Sequence, residues 1–216
     1  MPSHLVQKMH PALQLGGFPR LASRERLFSQ QSMWDSGCVL HATAMALALL
    51  GLIEEPAVLR WSSKARETKY WRIAEPYYLV GVELSELIDI VARLNWGVRT
   101  ELLEASHRTV LGFCEVELRQ GQLLVVNWRP VGTDFYHAAL AVGIEGRTDG
   151  TRFTPHALLI IDPAEHSPVM TGYNGRLVYG DTTAKRPVRH ALYFTDNEEA
   201  RQVLLTGAVA IRPPIK

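Results

Sequence analysis

The segment CVLHATAMALALLG, residues 38–51, is apolar on almost every face of a helix. A helix without a polar face is buried on all sides, so this segment predicts a short helix in the centre of the protein. Asp35 or Ser36 can cap its start and Gly51 can end it. The fold is therefore expected to be built around this helix.

The chain before and just after this helix is predicted to be irregular and then helical. Residues 1–33 contain Pro2, Pro11, Gly16, Gly17 and Pro19 and predict an irregular N-terminal arm. Residues 54–80 favour short helical pieces, broken at two prolines. Residues 83–94 form an amphipathic pattern, with apolar residues at helical spacing. A helical half is therefore expected over about residues 34–97.

The second half of the chain is richer in strand patterns. Strands are predicted at 98–103, 123–128, 135–144, 157–161, 189–194 and 208–212. Helices are predicted near 108–120 and at 196–205, and residues 145–156 are predicted to be a long hairpin loop. Helices that precede strands favour an α+β fold, with one domain over 34–216 and a mainly antiparallel sheet over about 98–216.

Composition excludes several classes of protein. The chain has 216 residues, with 23 basic and 22 acidic side chains, which argues against a nucleic-acid partner and against a polybasic membrane surface. It has two cysteines, too few for a disulfide-rich scaffold, and no apolar run long enough to span a bilayer. The N-terminal 30 residues lack the apolar core of a signal peptide. A cytoplasmic protein, or one exported without a classical signal, is expected.

Cys38 is a candidate nucleophile. It follows Ser36-Gly37 and opens the apolar helix, where free N–H groups and the positive end of the helix dipole favour a thiolate. The alternative is a small buried hydrophobe, the usual role of a free cysteine in an apolar helix. Cys114, inside a predicted helix, is interpreted as a structural thiol.

A thiol nucleophile needs a base, and the base needs a group that orients it. His137 stands early in the strand FYHAALAVGI, and Asp162 stands at the C-terminal end of the next strand, ALLII. If these strands form a hairpin, both side chains lie at the same end of the sheet, and Asp162 can orient the imidazole toward Cys38. The alternatives are a strand histidine and a turn former before Pro163.

These segments resemble papain-like cysteine peptidases, and they are most similar to the branch of the bacteriocin (double-glycine) leader peptidases. The resemblance rests on QSMWDSGCVLHATAMALALLG (31–51), HAALAVG (137–143) and IDP (161–163). It implies a papain-like fold, with the cysteine-bearing helix of the helical half packed on the sheet. It also implies that Cys38 is the nucleophile, His137 the general base and acid, and Asp162 the residue that orients the imidazole.

The resemblance further implies an oxyanion hole formed by the Cys38 N–H and a glutamine, with Gln31 as first choice and Gln30 as the alternative. In the family the glutamine usually stands six residues before the cysteine, and Gln31 stands seven before it. Trp34, Gly37 and Tyr136 are candidates for binding the substrate.

The hypothesis from the sequence is a cysteine peptidase that cleaves a peptide or isopeptide bond through a thioester, without a metal or cofactor. A glutamine deamidase or transglutaminase with the same triad is one alternative. A catalytically inactive module that binds a peptide or protein is another. The oligomeric state stays open.

Overall fold

The computed structural model describes residues 3–58, 65–180, 189–196 and 199–215. Its α-helices are α1 (Cys38–Leu49), α2 (Arg66–Ala74), α3 (Leu84–Leu94) and α4 (His107–Arg119), and a 3-10 turn, Glu75–Tyr77, follows α2. Its strands are β1 (His4–Met9), β2 (Arg99–Glu104), β3 (Leu123–Pro130), β4 (His137–Asp149), β5 (Arg152–Ile161), β6 (Gly175–Val178), β7 (Ala191–Thr195) and β8 (Arg201–Arg212). None of the helices among these described residues is both long and apolar enough to cross a bilayer.

Six of the strands close into an antiparallel β-barrel. Its order is β4-β3-β8-β7-β6-β5, and β5 pairs again with β4 to complete the ring. β4 and β8 are the longest strands, with 13 and 12 residues. Because they extend beyond some of their barrel neighbours, β4 also pairs with β1 and β8 also pairs with β2.

The closed barrel, with two extra strands and four short helices among the described residues, contradicts the expected papain-like α+β fold, in which a helical half packs on a mainly antiparallel sheet. The sheet closes through residues that the sequence patterns did not predict as strands. Residues 145–156 were expected to be a loop, but they extend β4 and β5. The two strands meet at a two-residue turn, residues 150–151, where Asp149 pairs with Arg152. Residues 201–205, expected to be helical, belong to β8, and β6 was not predicted.

Several other elements were predicted correctly, but the N-terminal region was not. The central helix, the amphipathic helix at 83–94 and the strand at 123–128 are confirmed as α1, α3 and β3. Within the arm that was expected to be irregular, His4–Met9 forms β1 along the edge of β4. Residues 59–64, part of the predicted helical pieces, and 197–198, part of the predicted helix at 196–205, lie outside the described residues.

The core has two parts, and the wall of the barrel separates them. Alternate residues of all six barrel strands pack with α4 in one cluster, which includes Leu124, Val126 and Ala139. The intervening residues, including Val125 and Leu140, face the other way and pack against α1, α2 and α3. Because side chains alternate across a strand, one barrel supports both clusters. α1 is buried between the barrel and the other helices, as its apolar sequence predicts.

Candidate functional site

The structure brings Cys38, His137 and Asp162 together at one end of the barrel. β4 and β5 are antiparallel neighbours, with Leu140 opposite Ile161. The first residue of β4, His137, therefore lies beside Asp162, which directly follows β5. α1 packs across the outer face of β4 and begins with Cys38, so that its N-terminus meets this end of the hairpin.

The imidazole of His137 joins the other two side chains. Its Nε2 lies 2.8 Å from each carboxylate oxygen of Asp162, and Cys38 lines the same cleft, close enough to the ring to help raise the pKa of His137. Because Asp162 occupies Nε2, Nδ1 is the ring nitrogen left for a second partner. This is the arrangement that a thiol nucleophile, a base and an orienting carboxylate require.

The charges around His137 favour its protonated form. Burial alone lowers the pKa of an imidazole, but the negative charge and hydrogen bond of Asp162, supported by Cys38, outweigh burial and raise the pKa of His137 to about 10. The Asp162 side chain is almost fully buried, and that of His137 is 18% exposed, so solvent screens their attraction only weakly. The site therefore holds an imidazolium next to the thiol near neutral pH.

Asp162 is fixed in place by two residues that sequence reasoning missed. The side chain of Asn174 accepts a hydrogen bond from the Asp162 N–H (2.6 Å) and donates one to the Asp162 carbonyl oxygen (2.8 Å). The Tyr193 hydroxyl donates to Asp162 Oδ2, and the Ala164 N–H donates to Oδ1 at 2.8 Å. No local motif marks Asn174 or Tyr193, because they lie 12 and 31 residues from Asp162 in the chain.

Trp128 packs against the triad from inside the barrel. Its ring centroid lies 5.1 Å from that of His137 in an edge-to-face arrangement, and 5.1 Å from that of Tyr193. Trp128 is buried, and its indole restricts the orientation of the imidazole.

Asp35 organises the turn that leads into Cys38. Its Oδ2 accepts from the N–H and the hydroxyl of Ser32, and its Oδ1 accepts from the Gly37 N–H, each at 2.8 Å. Burial opposes the charge of this carboxylate, but the bonds from Ser32 and Gly37 hold the pKa of Asp35 below its ordinary value. An ionised, buried carboxylate thus fixes the backbone just before the nucleophile.

His41 supports the same turn and does not face the reacting atoms. Its Nδ1 forms a hydrogen bond with the Ser29 hydroxyl (2.8 Å), and its Nε2 lies 3.8 Å from Asp35 Oδ1. Burial lowers the pKa of His41, and its ring contacts those of Trp71 and Tyr78. His41 is thus a buried, hydrogen-bonded residue of the turn.

The two candidate glutamines occupy different surroundings. Gln31 lines the cleft above Cys38, and its Nε2 donates to the Asp35 carbonyl oxygen at 2.8 Å. This bond uses one of the two amide hydrogens and leaves the other for an oxyanion. Gln30 is exposed and does not line this cleft. Gln31 is thus the glutamine that the fold holds beside the thiol.

The triad opens into a cleft of about 830 Å³. Tyr136 and Phe135 line it beside His137, and the segment from Pro76 to Glu83 forms much of the opposite wall. The other two candidates for substrate binding do not line the cleft: Trp34 projects into solvent, and Gly37 is buried behind the wall. The volume is in the range of sites for small molecules or for a few residues of a peptide.

Other candidate residues lie outside the triad. Cys114 is fully buried on α4, and burial raises the pKa of its thiol. His156 Nε2 lies 3.0 Å from Oε1 of the buried Glu145. Within the described parts of the chain, no three histidine, cysteine or carboxylate side chains are grouped as metal ligands.

Comparisons with known proteins do not identify a family. No protein-family model matches the sequence, and no curated protein has a significant match to it. The geometry of the site is therefore the evidence from which a function is inferred.

Gly37 provides a test of the turn before the nucleophile. A Cβ on Gly37 would lie 2.9 Å from Asp35 Oδ1 and 3.3 Å from His41 Cδ2. Both neighbours are buried, so we expect Gly37→Ala to displace Cys38 and to slow its alkylation by iodoacetamide about 10- to 100-fold. Gly112→Ala is the matched control, because a Cβ at this helical position meets nothing within 4 Å. That variant should keep the rate and be slightly more stable; equal rates in both variants would show that the turn does not position the thiol.

Proposed function

We propose that the protein is a thiol hydrolase that cleaves a peptide or isopeptide bond through Cys38, His137 and Asp162. The observation that carries the proposal is the imidazole of His137, which is hydrogen-bonded to buried Asp162 and lines the same cleft as Cys38. The resemblance to papain-like peptidases supports it through the order of these residues along the chain, and not through the fold.

Each residue has one task in the reaction. The Cys38 thiolate attacks the carbonyl carbon, and the developing oxyanion accepts hydrogen bonds from the Cys38 N–H and from the second amide hydrogen of Gln31. His137 gives its Nδ1 proton to the leaving amine as the C–N bond breaks, which leaves a thioester. Neutral His137 then takes a proton from water, the hydroxide attacks the thioester, and the acid product leaves while the thiolate–imidazolium pair re-forms.

The surroundings of the triad also favour catalysis over simple binding. Asp162 accepts hydrogen bonds from Tyr193 and Ala164, and its backbone is held by Asn174. Three residues from different parts of the chain thus hold one buried carboxylate against the imidazole. A group that must keep a base oriented through a reaction needs such support, whereas a surface that only binds a peptide does not.

The test is the reactivity of Cys38 toward iodoacetamide at about pH 6, where an ordinary thiol with a pKa of about 8.5 is almost wholly protonated. We expect rapid modification of Cys38, mapped by peptide mass, and none of the buried Cys114 in the folded protein. His137→Ala should slow the reaction at Cys38 by about 10²-fold or more, because the thiolate loses its imidazolium partner.

The control variant is His156→Ala, which removes another histidine that is paired with a buried carboxylate but lies outside the triad. It should leave the alkylation of Cys38 unchanged. Slow modification of Cys38 in the folded protein, together with fast modification of both cysteines after denaturation, would contradict the proposal. A substrate screen would then separate hydrolysis from deamidation, since a deamidated side chain gains about one mass unit while the backbone stays intact.

A further inference from the structure

The cleft above Cys38 carries negative charge on its walls. Four acidic residues line it, Asp35, Glu83, Glu86 and Glu104, and none of the described lysine or arginine residues does so. The carboxylate of Asp35 is buried within its own turn, so the three glutamates supply the charge of the walls. The whole chain is almost neutral, with 23 basic and 22 acidic residues. The charge of the cleft therefore differs from that of the protein as a whole.

Within the described residues, no cationic side chain pairs with these three glutamates. Glu83 and Glu86 form the capping box of α3, in which each side chain accepts from a backbone N–H of the other residue, and Glu104 ends β2. Among the described residues, none of the three forms an ion pair. Backbone N–H groups satisfy hydrogen bonds but do not neutralise a charge, so the field of these side chains extends into the cleft.

Two side-chain amide oxygens of the same walls accept no hydrogen bond from the described residues. Gln31 Oε1 and Asn127 Oδ1 are buried side-chain oxygens, and neither has a hydrogen-bond partner among the described residues. The orientation of the Gln31 amide is set by its Nε2, which donates to the Asp35 carbonyl oxygen. Because buried polar atoms in folded proteins nearly always have partners, both oxygens indicate a donor that the described residues do not supply.

The rim of the cleft is apolar on both sides. Phe135 and Tyr136, next to His137, are 73% and 54% exposed, and Leu79 and Val80 on the other side are 70% and 79% exposed. Exposed apolar side chains that flank a polar cleft are typical of a surface that binds a partner. Such a rim fits the backbone and apolar side chains of a polypeptide on either side of the reacting bond.

We propose that this cleft selects a cationic polypeptide, with a lysine or arginine side chain within a few residues of the bond that Cys38 attacks. This inference rests on the proposed function and adds the chemical class of the substrate. An ammonium or guanidinium group carries only hydrogen-bond donors, and so it complements walls that carry carboxylates and unpartnered carbonyl oxygens. The same walls repel an acidic segment, which gives selectivity by charge.

The test compares three methanethiosulfonate reagents that modify Cys38 and carry a trimethylammonium, a neutral methyl or a sulfonate group. The ratio of the cationic to the anionic rate is measured in the folded protein at low salt and is divided by the same ratio in the denatured protein. We expect a normalised ratio well above one. The double variant Glu86→Gln/Glu104→Gln should lower it about fivefold for each carboxylate removed, and 1 M salt should also reduce it.

The matched control is Glu25→Gln/Asp149→Asn, which changes the net charge equally at exposed positions that do not line the cleft. It should keep the ratio of the unsubstituted protein. In a second measurement, a blocked peptide with a central arginine should protect Cys38 from iodoacetamide better than the same peptide with glutamate.

The outcomes separate this inference from the proposed function. If Cys38 reacts rapidly with the neutral reagent but the normalised ratio is near one, or is unchanged in the Glu86→Gln/Glu104→Gln variant, the cleft does not select by charge and the inference is wrong. If Cys38 is unreactive toward all three reagents in the folded protein only, the proposed function fails, and the inference fails with it.

Discussion

Replacing Asp162 with asparagine is expected to slow the reaction of Cys38 with iodoacetamide at pH 6 by about 10²- to 10⁴-fold, the range for losing a positioned acid–base group. Asp162 supplies the negative charge and hydrogen bond that raise the pKa of His137. With a neutral amide, burial dominates, the pKa of His137 falls, and the thiol loses its charged partner. The N–H₂ of the new amide is itself a hydrogen-bond donor. It faces two groups that donate to Asp162, the imidazole Nε2–H and the Tyr193 hydroxyl, and therefore cannot accept from them.

The rate of alkylation of Cys38 is measured from pH 5 to 10 in Asp162→Asn, with Asp149→Asn as the control variant. Asp149 lies at the far end of the same β4–β5 hairpin and is exposed, so this variant should behave like the unsubstituted protein. Because Asp162 is buried, near-UV circular dichroism must show that Asp162→Asn is folded. Tyr193→Phe offers a milder change that keeps the ring against Trp128 and removes only the donor to Asp162. A folded Asp162→Asn protein with an unchanged rate would exclude the triad.

The second large effect concerns stability at alkaline pH. The pKa of His137 is about 10 in the folded protein, compared with 6.5 for an ordinary histidine. Below pH 6.5 both states hold the proton, and the full stabilisation is present. Between pH 6.5 and 10 only the folded state keeps it, and the stabilisation is lost progressively. The shift corresponds to a contribution on the order of 3–5 kcal/mol to the free energy of unfolding.

Urea unfolding of the unsubstituted protein and of His137→Gln at pH 6, 8 and 10 checks this expectation. The difference between the two free energies should be largest at pH 6 and should shrink toward pH 10. The comparison also removes the contribution of Cys114, whose raised pKa likewise lowers stability at high pH in both proteins. If the difference between the two free energies of unfolding is the same at pH 6, 8 and 10, His137 is not held as an imidazolium.

The sequence alone located the three central residues of the candidate site, because each depends on local patterns. An unbroken apolar run predicts a buried helix, and Cys38 stands at its first position. Two successive strands in one hairpin bring the start of the first and the end of the second to the same edge, which places His137 beside Asp162. The spacing of apolar residues likewise predicted α3.

The surroundings of Asp162 could not be predicted, since its partners are set by strand pairing between distant parts of the chain. Tyr193 reaches Asp162 because β7 lies in the barrel between β6 and β8. Nothing in the residues around Tyr193 or Asn174 indicates that they contact this carboxylate. The same is true of the charged walls of the cleft, which Glu83, Glu86 and Glu104 enter from α3 and β2.

The buried helix, the hairpin and the order of a thiol, an imidazole and a carboxylate along the chain could all be predicted from the residues. The closure of the sheet into a barrel, the position of Gln31 rather than Gln30 at the cleft, and the acidic side chains on the walls of that cleft became visible only in the folded chain. The two groups of features differ in the range of the interactions that produce them. Helix periodicity and hairpin pairing act between near neighbours in the chain, whereas barrel closure and the charge of a cleft depend on residues that only folding brings together.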